Sequence, residues 1–290
     1  MRNEHASGIT RVCGVIGDPI GHSASPPMHN AAFKALTLDY YYVAFQVKKE
    51  ALGKAVQGMR AFNLRGLNVT IPHKVAIIPF LDKLDPLAER IGAVNTVMND
   101  DGVLTGYNTD AEGFLQSLLD RNIEPRGRNV IILGAGGASR AIAFVLARRG
   151  SNLLILNRTL DKARDYAARI DQAFRREARA MKLDEENLAK ALTEADILIN
   201  ATSVGMYPHN DETPVSSHLL KPGLVVADIV YNPIETKLLR EAEAAGARTV
   251  SGLDMFVWQG ALAFEKWTGL KAPVEMMKEE AIKVLERREN

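Results

Sequence analysis

The stretch that most restricts the fold is Asn129-Val130-Ile131-Ile132-Leu133, followed by Gly134-Ala135-Gly136-Gly137-Ala138-Ser139. An unbroken apolar strand is buried on both faces, as in a parallel sheet with helices on each side. The glycines turn the chain into a helical run, Arg140–Arg149, as a βα unit requires. The rhythm then repeats. Strand Asn152–Leu156, helix Leu160–Arg175, strands Asp196–Asn200 and Val225–Ile229, helix Pro233–Ala244 and strand Arg248–Ser251 follow in turn. Such alternation predicts a doubly wound α/β fold.

The part before Pro125 has a different texture. Strand patterns at Val12–Ile16, Tyr40–Val47 and Gly66–Ile71 alternate with helical patterns at Pro27–Leu36 and Ala51–Phe62. Val94–Met98 and Val103–Tyr107 flank Asn99-Asp100-Asp101-Gly102, and Asp-Gly is a hairpin signal. A helix, Ala111–Leu119, opens at Asp110. The tail reads as two helices, Met255–Trp267 and Val274–Arg288, with no strand between them. Two α/β domains are predicted: residues 1–110 with 255–290, and residues 111–254, the last helices returning to the first domain.

Composition narrows the function classes. With 290 residues, 47% hydrophobic and 24% charged, the chain can build two ordinary cores. A net charge of +1 gives no electrostatic reason to expect nucleic acid or an anionic membrane as partner. The single cysteine, Cys13, lies in an apolar run, which predicts a small core residue and a reducing compartment. The first ten residues lack an apolar signal core, and no run approaches membrane-span length, so a cytoplasmic protein is expected.

The glycine loop lets backbone N–H groups at a helix N-terminus approach a pyrophosphate. Its third small position is Ser139, where the dinucleotide fingerprint has Gly or Ala. An enzyme using NAD places a carboxylate at the end of the next strand, on the ribose hydroxyls. Here that end carries Asn157-Arg158-Thr159, with Lys162 one turn on. A guanidinium suits a 2′-phosphate, so the expected cofactor is NADP.

Polar clusters in the first domain fall at strand ends and turns. Ser23 and Ser25 precede a helix, where hydroxyls can hold a small carboxylate or simply cap the helix. Asn68, Thr70 and Lys74 belong to Asn68-Val69-Thr70-Ile71-Pro72-His73-Lys74, a strand that stops at a proline. Asn95-Thr96 and Asn108-Thr109-Asp110 complete the set. Lys74 offers a cation and a transferable proton, and Asp110 could orient it. His22 and His73 lack metal-ligand spacing, and no metal is expected. These groups fit a small carboxylate with several hydroxyls, reduced at a carbonyl by hydride transfer.

In order along the chain stand GDPIGHSASP, NVTIPHK, GAVNT, NTD, GAGGAS, NRT, NATSVGM and GLDMFVWQGALAF. The ordered set resembles the shikimate dehydrogenase family over nearly the whole length. The resemblance implies a substrate domain and a Rossmann-like NADP domain, and NADPH-dependent reduction of 3-dehydroshikimate to shikimate in aromatic amino-acid biosynthesis. It implies Lys74 and Asp110 as the catalytic pair, with Lys74 the proton donor in the reduction. It implies Ser23 and Ser25 on the carboxylate, and Thr70, Asn95, Asp110 and Gln259 on the ring hydroxyls. Tyr231 would lie by substrate and nicotinamide. Gly134, Ala135, Gly136, Gly137, Ala138 and Ser139 would hold the pyrophosphate. Asn157, Arg158, Thr159 and Lys162 would hold the adenosine phosphate. Thr202, Ile229 and Gly252 would line the way to the nicotinamide. A homodimer is compatible with the resemblance. The alternatives are a quinate/shikimate dehydrogenase of broader specificity and a non-catalytic NADP-binding regulator.

Overall fold

The computed structural model describes residues 7–175 and 177–289, with the side chains of 288 and 289 left aside. The outermost residues assigned above to the first domain, and most of the stretch on which the absence of a signal peptide was argued, lie outside these. The chain forms two compact units: the residues up to Thr109 together with Val257–Arg288, and Asp110–Phe256.

The first unit is built on a mixed sheet. β1 (Arg11–Gly17), α1 (Ser25–Ala35), β2 (Tyr40–Gln46), α2 (Leu52–Ala61) and β3 (Gly66–Val69) give three parallel strands, with β1 central. After them come β4 (Lys83–Leu84), α3 (Pro86–Ile91) and the hairpin β5 (Thr96–Asp100) and β6 (Val103–Tyr107). Strand order is β2-β1-β3-β5-β6-β4, and β3 pairs antiparallel with β5 so that Asn68 faces Thr96. The hairpin turns through Asp101 (φ 48°) and Gly102 (φ 91°), the positive φ values that a tight primed turn demands. β4 and α3 escaped the sequence reading. β4 is only two residues, and α3 is one short segment capped by Asp85, whose side chain accepts from the Leu87 N–H. The expected strands Gly66–Ile71 and Val94–Met98 are displaced. β3 stops at Val69, and β5 begins only at Thr96, although the Asn95 backbone still bonds to Tyr107 and Val69.

The second unit is the doubly wound sheet. After α4 (Thr109–Leu119) come β7 (Asn129–Leu133), α5 (Gly137–Arg149), β8 (Asn152–Asn157), α6 (Leu160–Phe174), β9 (Arg179–Lys182), α7 (Glu185–Leu192), β10 (Ile197–Asn200), β11 (Val225–Asp228), α8 (Lys237–Ala244) and β12 (Arg248–Val250). The order β12-β11-β10-β7-β8-β9 is parallel throughout and reverses direction between β7 and β10. A ligand in such a sheet sits outside the strand ends at that reversal. The core is aliphatic, with Ile131, Leu133, Leu154, Leu156, Leu198 and Val226 buried together. β9 and α7 were missed: β9 is an edge strand with no fully buried side chain, and α7 is short. α8 starts at Lys237, later than the predicted Pro233, because Thr236 is its capping residue.

The expected return of the last helices is observed. α9 (Gly252–Thr268) and α10 (Val274–Glu289) follow β12, and most of both belong to the first unit. Trp267 is buried, and its indole N–H donates to the Val97 carbonyl at 3.1 Å. The ring lies against Gly66, where any Cβ would collide with it. Arg65 donates to the Trp267 carbonyl from the same strand edge at 2.9 Å. Cys13 is fully buried, as a core residue should be, and burial raises its thiol pKa.

Candidate active site

In the second unit, the glycine loop occupies the reversal point. Gly134 has φ +103°, and a Cβ there would meet the Ala201 carbonyl and Thr202 Cγ2 at 3.0 Å. Gly134 and Thr202, at the ends of adjacent strands β7 and β10, are thus brought into contact. At Gly136 and Gly137 an added Cβ would meet nothing within 4 Å. These two are exposed, and Gly136 caps α5. Open space over the N-terminus of a thirteen-residue helix is what a bound phosphate needs. Ser139 is buried instead, and its hydroxyl donates to the Gly134 carbonyl at 2.6 Å. Its side chain therefore fixes the loop's shape, and only the loop backbone is left to meet a ligand there.

The end of β8 presents the second cofactor group. Arg158 and Thr159 are exposed, as is Lys162. Thr159 stands at the N-cap of α6, yet its side chain makes no capping bond, leaving the hydroxyl for another partner. Asn157 braces the turn by donating to the Thr159 carbonyl at 2.8 Å. Ala135 and Lys162 share a cavity of about 410 Å³ with Arg140, Asp161, Asp165 and Tyr166. Arg140 escaped the sequence reading. Its guanidinium lies 4.5 Å from the Tyr166 ring centroid and donates to the Tyr166 hydroxyl at 3.2 Å.

Thr202 is tied to β10, donating to Asn200 Oδ1 at 2.7 Å. Asn200 in turn donates to Asp228 Oδ1 at 3.0 Å, and Thr236 donates to Asp228 Oδ2 at 2.7 Å. Burial outweighs these donors and raises the Asp228 pKa to about 6. Gly252 opens α9 against Ile229 and Val230, so close that a Cβ would strike both. The two expected cofactor residues Ile229 and Gly252 are thereby joined, and Gly252 has a packing reason of its own. Tyr231 stacks on Phe256 with ring centroids 4.6 Å apart. Asp110 is buried near the start of α4.

In the first unit neither serine occupies the N-cap position of α1. The N-cap of α1 is Ala24, without a side-chain bond. Ser23 is half-buried, and its oxygen accepts from the Ser25 N–H at 3.2 Å, leaving its own hydrogen to donate. Ser25 is buried. Tyr42 donates to Asn68 Oδ1 at 2.7 Å. Asn95 is buried, with its Oδ1 accepting the Thr109 N–H at 2.6 Å and its amide donating to Thr109 Oγ1 at 3.0 Å. Asn108 donates to the Ala93 carbonyl at 3.0 Å and so holds the turn before β5.

Thr70 and Lys74 are half-buried on the loop after β3. Their backbone is pinned from three sides. The Thr70 N–H donates to Ile16, the Asp18 N–H to the Ile71 carbonyl at 3.1 Å, and the Val94 N–H to the Lys74 carbonyl at 2.8 Å. His73 is fully buried, with Nε2 2.6 Å from the Val47 carbonyl, a structural tie beside Lys74. His22 is exposed. Gln259 is half-buried on α9, in the part belonging to the first unit.

Family models account for three successive parts of the chain. They are the shikimate dehydrogenase substrate binding domain over residues 15–97, shikimate / quinate 5-dehydrogenase over 117–237, and the shikimate 5'-dehydrogenase C-terminal domain over 252–282. A shikimate dehydrogenase (NADP(+)) of Methanopyrus kandleri is 51% identical over 95% of this chain and 96% of its own. A shikimate dehydrogenase solved in complex with NADP+ superposes with a TM-score of 0.93 at 43% identity, covering 97% of this chain and 98% of that one. The shikimate 5-dehydrogenase of Listeria monocytogenes, solved with shikimate and NAD, gives 0.91 at 45% identity over 96% and 98%.

Proposed function

The chain belongs to the shikimate dehydrogenase family, and from that premise we propose that it interconverts 3-dehydroshikimate and shikimate with NADP(H). The observation that carries the cofactor choice is the end of β8. Arg158 is exposed there beside the uncapped Thr159 hydroxyl, where an NAD enzyme would set a carboxylate. Gly136 and Gly137 leave the open cradle that a pyrophosphate fills. When bound, NADPH supplies the hydride.

The chain's own residues do the rest. Lys74 delivers a proton to the carbonyl oxygen as charge develops on it, and takes one back in the reverse direction. Asp110 orients that lysine. Ser23 and Ser25 hold the carboxylate, while Thr70, Asn95 and Gln259 take the ring hydroxyls. Tyr231 flanks the nicotinamide, at the end of the path lined by Thr202, Ile229 and Gly252. The first unit then serves as the substrate domain and the second as the NADP domain. A cytoplasmic location follows from the reading, since the reducing pool of NADPH is there.

The decisive measurement is absorbance at 340 nm with shikimate or quinate, each with NADP or NAD. Shikimate with NADP should exceed the other three pairs in kcat/KM. The Listeria relative was solved with NAD, so comparable rates with both cofactors would replace NADP preference with dual use. Comparable rates with quinate would select the broader dehydrogenase. Inactivity in all four would leave the non-catalytic NADP binder.

A further inference from the structure

We infer that Asn200 and Asp228 are positioning residues: their hydrogen-bonded pair holds the Thr202 loop in place as a wall of the nicotinamide half of the cofactor site. The inference rests on the functional reading above, because Thr202 takes its place beside the cofactor from it.

The pair joins three segments at the strand ends of the second unit. Asn200, the last residue of β10, shapes the loop that follows it. Its Oδ1 accepts the Thr202 N–H at 3.1 Å and the Thr202 hydroxyl at 2.7 Å, and its amide donates to the Val204 carbonyl at 3.2 Å. The same amide donates to Oδ1 of Asp228, the last residue of β11, at 3.0 Å. That oxygen also accepts the Val230 N–H at 3.0 Å. Asp228 Oδ2 accepts the hydroxyl of Thr236, the N-cap of α8, at 2.7 Å. Asn200 and Thr236 are fully buried, and Asp228 is 2% exposed. The Thr202 hydroxyl is engaged on both sides, since it also accepts the Val204 N–H at 3.2 Å. Its methyl is the part that faces Gly134.

A buried carboxylate at a strand end needs a reason, because taking it out of water is unfavourable unless donors surround it. Holding β11 to β10 requires no charge, since the backbone ladder already does so. A carboxylate has acceptors only, so it can gather donors from three segments, whereas an amide would turn N–H groups towards one of them. What Asp228 gathers is the set of loops on one side of the phosphate loop. The strand order β11-β10-β7-β8 puts the glycine loop of β7 between the Arg158 end at β8 and the Thr202 and Ile229 ends at β10 and β11. A dinucleotide with its adenosine phosphate at β8 and its pyrophosphate on the glycine loop therefore carries its nicotinamide half towards β10 and β11. The Ile229 N–H donates to the Asn200 carbonyl at 3.0 Å, so the two walls of that half are one connected piece of protein.

The test uses Asn200→Asp, which keeps the shape but removes the amide donor, with initial rates at 340 nm and binding by calorimetry. kcat/KM for NADP should fall roughly 10- to 100-fold, the scale of a displaced positioning group. The Kd for NADP should rise with it. The Kd for adenosine 2′,5′-bisphosphate, which lacks the nicotinamide half, should stay within about two-fold, as for a site that shares no partner with the change. A general loosening of the unit would weaken both ligands alike. Combining Asn200→Asp with Asp228→Asn reinstates a donor and an acceptor between the two positions, and should regain most of the lost affinity. Unchanged kcat/KM, an unchanged Kd for NADP, equal weakening of both ligands, or a double variant no better than Asn200→Asp overturns the inference. Should Asn200→Asp not fold, Thr202→Val decides it: the methyl stays, the tie to Asn200 is lost, and the same split between the two ligands must appear. A parent protein inactive on shikimate with NADP would overturn the functional reading itself, and the inference with it. An active parent whose Asn200→Asp variant keeps the parental kcat/KM overturns the inference alone.

Discussion

The two units solve the problem of placing polar groups in opposite ways. In the second, the strands are aliphatic except for the buried pair Asn200 and Asp228 at the last positions of β10 and β11, and most of the polar residues proposed to meet ligand sit on the loops beyond the strand ends. In the first, polar side chains enter the sheet itself: Asn68 and Thr96 face one another across β3 and β5 in the buried interior. The difference follows from what each must hold. A pyrophosphate is gripped by backbone N–H groups at a helix end, so the sheet beneath can stay apolar. A small hydroxylated ring offers no such handle and needs side chains at fixed spacings, which must be buried and mutually satisfied.

The comparison predicts that damage to the first unit will spare the KM for NADP, and that damage to the second will fall on it. Lys74→Ala, in the first unit, should lower kcat by roughly 10²–10⁴-fold, the usual contribution of a general acid. The KM for NADP should barely move. Near-normal turnover in steady-state assays would remove Lys74 from the chemistry. Arg158→Ala, in the second unit, should leave kcat nearly intact and raise the KM for NADP roughly 10- to 100-fold, as expected for a charge-assisted contact. The KM for NAD should stay put, because NAD lacks the phosphate. Equal increases for both cofactors would exclude a 2′-phosphate contact.

The same contrast explains what could be read from sequence. The second unit is local: strand, loop and helix follow one another, and the loop's glycines advertise themselves. β7, α5, β8 and α6 therefore fell within a few residues of their expected bounds. The first unit is non-local. Nothing near Tyr42 in the chain says that it meets Asn68, or that Asn95 is braced by Thr109. Tyr42 read as one more aromatic strand residue, and Thr96 as a neighbour of Asn95. Ser139 was placed among the cofactor groups by motif alone, whereas its hydroxyl turns inward to Gly134. The serines at the start of α1 left capping and ligand binding equally open; in the structure Ala24 holds the N-cap position while the Ser23 hydroxyl accepts the Ser25 N–H. Gln259 was reachable solely through the family resemblance, since a helix glutamine carries no signal of its own.

A smaller effect sharpens the structural side. The first unit depends on a distant helix, because Trp267 of α9 covers Gly66 of β3. Gly66→Ala should destabilise the protein by roughly 1–3 kcal/mol, the usual cost of overpacking. In thermal denaturation that is about 2–4 °C per kcal/mol for a chain of this size. An unchanged melting temperature would mean that the indole can move aside.

The smallest net effect concerns pH, where the two units should oppose each other. His29 is fully buried among Tyr42, Phe33 and Trp267, and desolvation lowers its pKa from 6.5 to about 3. The unfolded chain binds the His29 proton first, so this contribution is present above pH 6.5 and is lost as pH falls towards 3. Asp228 is the reverse case, its pKa raised from 3.8 to about 6 by burial. The folded chain binds that proton first, so the contribution is present below pH 3.8 and is lost as pH rises through 6. Between these limits each group contributes a slope of at most about 1.4 kcal/mol per pH unit, with opposite signs. Global urea denaturation from pH 4 to 6 should therefore show little slope from the pair. His29→Phe should tilt the curve towards greater stability at low pH than in the parent, and Asp228→Asn should tilt it the other way. Hydrogen exchange followed by peptide should separate the two, with α1 and β2 losing protection on acidification while β10 and β11 gain it. Parallel behaviour of both regions would show that the buried titratable groups do not act within their own units.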